Sequence, residues 1–379
     1  MPGRSSSERE ALARQNAAIM AVFERGGFEH IAPDIIQPAD IFLERSGEDI
    51  RARTFVFNDP DGNELCLRPD LTVPACRYHL SSAANPAAEK RYCYLGTAFR
   101  FPDEALSPQE FNQAGLEWFG GADPVAAEAR VIKLTLSALE AAGLSKLKVT
   151  IGDLGLFNAL IEDSPMPARW RRRLRHQFWR PQAFHALLDN FAKPPAQKKT
   201  SVSAYVDGIA GKNAPEAVEA MLAAAGFRLV TDRSVDDIAQ RLAEKLADRS
   251  EEPISTAQLA GIERYLAISG PLGEVMASFR GVAAGPAFAE ATGRFEQRIA
   301  ALEDQGLNPS RFHFSAGFGR ELEYYTGLVF QVDVEARNQP VTVAGGGRYD
   351  DLLADLGAPA RIPAVGSAIH TERVKAVLP

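Results

Sequence analysis

The sequence predicts an α+β fold: an antiparallel sheet flanked by helices, carrying an inserted helical subdomain. Three observations support this. Residues 91–101 (RYCYLGTAFRF) and 110–119 (EFNQAGLEWF) are rich in aromatics and joined by a Pro-containing loop, which predicts an antiparallel strand pair. Residues 126–142 carry apolar side chains at helical spacing and stop at Gly143. From about 166 to 309 the texture shifts to Ala, Leu, Arg and Glu at helical period, with little strand signal. At 379 residues and 46% hydrophobic, the chain suits one large or two medium domains with a sizeable core. The expected division is a sheet domain of residues 1–165 and 310–379, interrupted by a mostly helical insertion at 166–309.

In chain order, Ser7 and Glu10 read as a capping box for a first helix. Leu12, Ile19, Val22 and Phe23 follow at helical spacing, and Gly26-Gly27 ends it. Residues 31–36, around Pro33, are apolar and extended. Residues 54–57 and 64–67 read as short strands about the turn chemistry of Asn58-Asp59-Pro60-Asp61-Gly62-Asn63. The strand pair and the 126–142 helix come next, then a strand at 146–151. Within the insertion, breaks fall at Pro194-Pro195, Ser269-Gly270-Pro271 and Gly285-Pro286. Strand texture returns at 311–318 and 327–334. The run 344–350 (AGGGRYD) leads into a helix, and its glycines predict a mobile loop around Tyr349.

Composition narrows the function classes. No run of about 18 apolar residues occurs, so no membrane helix is expected, and the polar segment 1–7 is not a secretory signal. Cys66, Cys76 and Cys93 lack C-x-x-C spacing, which argues against a zinc site or disulfide framework and for a reducing, cytoplasmic setting. No cofactor or metal is implied. A net charge of −7 argues against an extended nucleic-acid footprint. One basic run departs from this balance, Arg169-Trp170-Arg171-Arg172-Arg173-Leu174-Arg175-His176, with Trp179-Arg180 after it. It reads as a solvated helix face, an Arg surface for an acidic protein partner, or a phosphate track.

Four separated segments combine charge, aromatics and glycine beyond what packing needs: 67–74, 96–100 with 110–117, 319–327, and 344–350 followed by 363–373. A free amino acid presents an ammonium, a carboxylate and a side chain, and each needs its own partner when buried. Asp70, with Thr72 and Gln113, suits the ammonium. Arg320 suits the carboxylate through its planar fork. Glu117 suits an imidazole N–H, with Tyr324, Tyr325 or Tyr349 as hydroxyl and aromatic wall. Gly345, Gly346 and Gly347 let backbone approach a ligand closely. Taken singly, Asp70 reads equally as a helix cap, Glu117 as a structural ion pair, and Tyr324-Tyr325 as strand packing.

In this order the segments resemble the catalytic domain of the histidyl-tRNA synthetases, a class II aminoacyl-tRNA synthetase family, over roughly 8–165 and 310–379. Pro33 falls at that family's motif 1 proline and Arg100 at its motif 2 arginine. Residues 320–327 fall on its histidine-specific signature, 346–350 on its G-G-R-Y-D signature, and Arg373 on its motif 3 arginine. The resemblance implies a class II synthetase-like sheet and a histidine pocket formed by Asp70, Thr72, Gln113, Glu117, Arg320, Tyr324, Tyr325 and Tyr349.

Three features depart from the synthetase pattern. Arg100 is followed by Phe101-Pro102 instead of an acidic residue two positions on, and the loop 103–109 holds two acids and no Arg or Lys, which disfavours a triphosphate. His370 stands where the family has a glycine, three residues before Arg373. The chain stops six residues after Arg373, so no anticodon-binding domain is expected and tRNA is not an expected partner. Arg100 and Arg373 then serve as structural pairs or hold a different anion. This combination resembles the histidyl-tRNA synthetase-like regulatory subunits of ATP phosphoribosyltransferase. The resemblance implies a non-catalytic chain, required by a short-form catalytic subunit and for feedback inhibition by L-histidine in the first step of histidine biosynthesis. It further implies a hetero-octamer built on a synthetase-type homodimer. The alternatives are a histidyl-tRNA synthetase (histidine-tRNA ligase) lacking its anticodon-binding domain, and a synthetase-like ligase acting on something other than tRNA.

Overall fold

The structure, a computed structural model, describes residues 3–45, 47–102, 109–193, 240, 243–245, 247–248, 250–282, 285–320 and 324–378. Its contacts define two compact units, Met1–Ser164 with Glu263–Pro379, and Pro165–Ile262. The stretch 263–309, grouped with the insertion on composition, therefore lies in the sheet unit. Its helix Pro286–Asp304 packs on helices Pro124–Ala141 and Leu154–Glu162, and its strand Ser269–Pro271 joins the sheet edge. A helix covering a sheet and a helix of a separate subdomain share the same apolar period, so composition does not separate them.

The first six strands are β1 (Glu29–His30), β2 (Ile36–Pro38), β3 (Phe55–Asn58), β4 (Glu64–Leu67), β5 (Lys90–Phe99) and β6 (Glu110–Phe119). The rest are β7 (Lys148–Asp153), β8 (Ser269–Pro271), β9 (Phe312–Ser315), β10 (Leu328–Ala336), β11 (Gln339–Arg348) and β12 (Ala364–His370). Among the described residues nine form one sheet in the order β1-β5-β6-β12-β11-β10-β7-β9-β8, antiparallel except at β1·β5 and β7·β9. The other three make a small antiparallel sheet, β2-β4-β3. The antiparallel pair expected from the aromatic segments is β5–β6, in register from Lys90 opposite Phe119 to Phe99 opposite Glu110. This is a class II synthetase-like arrangement of a large, mainly antiparallel sheet and flanking helices.

Helix Ser6–Arg25 opens two residues before the expected box. The Glu8 N–H donates to the Ser5 hydroxyl at 3.3 Å, and the Ser5 N–H donates back to the Glu8 carboxylate at 2.8 Å. Ser5/Glu8 and Ser7/Glu10 both fit the spacing, and the earlier pair satisfies the N–H groups of the true first turn. Residues 344–347 are not a loop. They lie inside β11, paired with β10 on one side and β12 on the other. Tyr349, just past the strand, donates its N–H to the Ala364 carbonyl at 2.8 Å and is 1% exposed. The glycines therefore serve close packing, where the sequence reading expected movement.

A buried ion network ties four elements of this unit together. Glu128 on helix Pro124–Ala141 accepts from Arg298 at 2.5 Å and from Arg348, and Arg298 also donates to Asp153 at 2.5 Å. In the second unit, the basic run lies on helix Ala168–Gln177, where Trp170 stacks on Phe191 at 4.2 Å. Arg169 pairs with Asp248 (2.8 Å) and Glu251 (2.5 Å), Arg173 with Asp248 (2.6 Å), and Arg172 with Glu244. For these three arginines the acidic partner is in the same unit. All three cysteines are buried and unpaired, and no described helix is long and apolar enough to cross a membrane.

Candidate functional site

Residues directly opposite one another in an antiparallel sheet share a face. The register sets Tyr94, Gly115, Ala368, Gly345 and Gln331 in one row across β5, β6, β12, β11 and β10. The next row is Tyr92, Glu117, Gly366, Gly347 and Val329, and on the other side lie Gly96, Gln113 and His370. Glycine at so many of these positions lets larger side chains lie flat on the backbone. A Cβ at Gly366 would overlap the Glu117 carboxylate, and one at Gly345 would overlap the Arg320 guanidinium.

Over this face opens a cavity of about 610 Å³, lined by Asp70, Thr72, Gln113, Arg320, Tyr324, Tyr325 and Tyr349. Arg100 and Arg373 line it as well. Glu117 lies beneath, fully buried, linked to the lining through Tyr349. The structure thus brings all ten sequence-predicted site residues together. Glu321, Leu322, Glu323 and the acidic loop 103–108 fall outside the described residues.

The polar groups divide by role. Asp70 Oδ1 accepts the Val73 N–H at 3.2 Å, so the residue does help cap helix Thr72–Ser82. Its Oδ2 is buried with no hydrogen-bond partner among the described residues, as are Gln113 Oε1 and Arg320 Nε. Burial pushes the Asp70 carboxyl up, opposed by the Arg100 charge. His370 Nδ1 is a fourth such atom on the same cavity, and native interiors leave few such groups. Glu117 accepts from Tyr94 Oη at 2.8 Å and from Tyr349 Oη. Burial pushes its carboxyl up to about 7, while donors from Tyr349, Thr72 and Tyr94 pull the other way and Asp70 adds to the rise.

The His370 ring, opposite Gln113 in the sheet, stacks on Phe111 with centroids 4.5 Å apart and planes 11° apart. Burial, then the Arg373 and Arg100 charges, lowers its pKa to about 3, so the imidazole is neutral. Arg100 donates to the Pro69 carbonyl at 2.7 Å and Arg373 to the Thr342 carbonyl at 3.2 Å. Sequence reasoning missed Tyr94, whose signal was its place two residues before Gly96 on a predicted strand facing the Glu117 strand. It also missed Gly366, whose partner is visible only once β6 and β12 are paired.

A glycine-paved antiparallel sheet with a cavity of about 610 Å³ on its face is the arrangement of a class II aminoacyl-tRNA synthetase-like domain. The family model described as histidyl-tRNA synthetase matches residues 4–207 and 213–374. A relative from Rhizobium rhizogenes, named ATP phosphoribosyltransferase regulatory subunit, is 35% identical over 364 residues, 94% of this chain and 95% of its own. One of the same name from Rhizobium leguminosarum bv. trifolii is 37% identical over 370 residues, with 94% and 95% covered. A solved structure from Bacillus halodurans, described as an ATP phosphoribosyltransferase regulatory subunit/histidyl-tRNA synthetase, shares the fold. Its TM-score is 0.72 at 21% identity, covering 100% of this chain and 82% of that one. The chain belongs to the histidyl-tRNA synthetase-like family of ATP phosphoribosyltransferase regulatory subunits.

Proposed function

We propose that this chain is a non-catalytic, cytoplasmic regulatory subunit of ATP phosphoribosyltransferase that binds free L-histidine. It supports the activity of a short-form catalytic subunit in a hetero-octamer and relays histidine occupancy as feedback inhibition of the first step of histidine biosynthesis. The observation that carries this reading is the set of unsatisfied buried atoms, Asp70 Oδ2, Gln113 Oε1 and Arg320 Nε, on one cavity above the fully buried Glu117. Asp70, Thr72 and Gln113 take the ammonium and Arg320 takes the carboxylate. Glu117 accepts from the imidazole, with Tyr324, Tyr325 and Tyr349 as walls.

The surroundings of His370 support the non-catalytic half of the reading. A nucleotide base entering there meets His370 already stacked on Phe111, and Arg100 and Arg373 are engaged with backbone carbonyls. The synthetase-type homodimer is supported by exposed apolar side chains. Among the described residues the exposed large hydrophobics are Ile35, Ile36, Val56, Phe57 and Phe101, all on or beside the small β2-β4-β3 sheet. Such patches mark interaction surfaces. Feedback requires histidine to prefer the less active assembly, and a coupling of about 1–3 kcal/mol gives roughly 5- to 150-fold control.

Calorimetry of the purified chain tests the reading, with histidine binding and ATP not binding as the expected result. Robust histidine-dependent ATP–pyrophosphate exchange would overturn it in favour of a ligase. In the complex with the catalytic subunit, Arg320→Ala is expected to abolish histidine inhibition, and unchanged feedback would remove Arg320 from the site.

A further inference from the structure

We infer that the cavity takes histidine together with one proton held between the Glu117 carboxyl and the ligand's imidazole, so that occupancy is set by pH as well as by histidine concentration. This rests on the histidine reading above and specifies the ionic state in which the ligand is held.

The groups facing Glu117 carry it. Strand β5 offers Tyr94 and, directly opposite, Tyr92, and β12 offers Gly366, which has no side chain. Helix Thr72–Ser82 and the turn before it offer Thr72, Cys76 and Asp70. The segments before β10 and after β11 offer Tyr324, Tyr325 and Tyr349. These are five phenols, a hydroxyl, a thiol and a second carboxyl, with no cation among them. Arg320 lies across Gly345, in the neighbouring row of the sheet, and makes no ion pair with Glu117.

A fully buried carboxylate without a cation is costly, and two things relieve it: a proton, or a cationic ligand group. An imidazole supplies either, since it ordinarily protonates near pH 6.5, close to the value of about 7 for Glu117. Whether the proton rests on the ring or on the carboxyl, the count is the same, one hydrogen bond holding one proton between oxygen and nitrogen. Without the added proton a neutral ring N–H still donates to the carboxylate, but the buried negative charge stays uncompensated. With two, a buried imidazolium faces a neutral acid. Only the one-proton pair is electrically balanced.

The experiment is calorimetry of the full chain with histidine from pH 5.5 to 9, in buffers of different ionisation heat, on wild type and Glu117→Gln. The ligand's ammonium and Asp70 titrate in both proteins, so their difference isolates the pair. Wild type is expected to take up about one proton more than the variant at pH 8.5. Through this pair alone the wild-type affinity falls roughly 40-fold between pH 7 and 9, with its maximum near neutrality. Histidine binding with the same proton uptake in both proteins overturns this inference and leaves the histidine reading standing. No histidine binding at any pH overturns both. A second measurement stands if the variant does not fold. On the wild-type complex at pH 8.5, with ring-15N histidine and 13C-carboxyl glutamate, NMR is expected to show two protonated ring nitrogens or a protonated Glu117. A neutral ring against an ionised carboxylate overturns the inference.

Discussion

Alanine at Gly366 and alanine at Gly345 add the same methyl group to the same sheet face, yet their costs differ because of what each methyl meets. At Gly366 it falls inside the Glu117 carboxylate and 2.7 Å from the Leu116 carbonyl. Glu117 must leave, and its departure strands the hydroxyls of Tyr94 and Tyr349, which are 0% and 1% exposed. A hydrogen bond to a charged group contributes about 1.5–3 kcal/mol. Losing two gives about 3–6 kcal/mol, against which the usual gain of about 0.5–1 kcal/mol for replacing a strand glycine is small. At Gly345 the atoms nearest the methyl are the tip of Arg320, a half-buried side chain whose described bond is a long 3.4 Å contact to the Phe330 carbonyl. That arm swings aside for less than about 1 kcal/mol. It then no longer reaches the ligand carboxylate, a charge-assisted interaction of about 2–3 kcal/mol, or roughly 30- to 150-fold in affinity. Urea denaturation and histidine calorimetry on both variants read the contrast. Gly366→Ala is expected to lose stability and ligand together, and Gly345→Ala ligand alone. Wild-type stability in Gly366→Ala would refute the claim that Glu117 is pinned by its neighbours, and undiminished affinity in Gly345→Ala would separate Arg320 from the ligand.

Other perturbations reach the scaffold and the second unit. Glu128→Ala leaves Arg298 and Arg348 buried without their shared acid, and Asp153 and Asp350 compensate in part, so urea denaturation should show a loss of about 3 kcal/mol. Burial holds the Glu117 carboxyl at about 7, so the folded chain keeps a proton that the unfolded chain has already lost above pH 4.5. Ligand-free stability therefore falls with rising pH between those values, by about 3 kcal/mol in all from this group. The stability of Glu117→Gln relative to wild type should rise by up to that amount from pH 5 to 8, and a flat difference would show that Glu117 ionises normally. Asp248→Asn weakens the pairing of Arg169 and Arg173 and the hydrogen bond from Trp170, and hydrogen exchange should quicken along helix Ala168–Gln177.

The strand pair and most of the site were legible because a two-residue period shows directly in sequence. Residues 110–119 were bounded correctly, and Gln113, Gly115 and Glu117 alternate onto one face as expected of a strand. The remote segments were brought together by family resemblance, since no local pattern says that β6 pairs with β12. What sequence order hid is the division of labour inside the G-G-R-Y-D run. Arg348 and Tyr349 are neighbours, yet Arg348 turns to Glu128, Asp350 and the Pro124 carbonyl, while Tyr349 turns to Glu117. A motif treats them as one unit, and the pleat assigns one to scaffold and the other to site. The basic run was ambiguous for a related reason, because the acids that pair with it lie more than seventy residues away in sequence. The glycines show the limit most clearly. A loop glycine adds conformational freedom, whereas a glycine hydrogen-bonded to a strand on either side removes only side-chain volume. Composition is the same in both cases, and only the two flanking strands decide between them. Here they decide for volume, which is why Glu117 and Arg320 can rest against bare backbone and why Tyr349 is held in place rather than free to close.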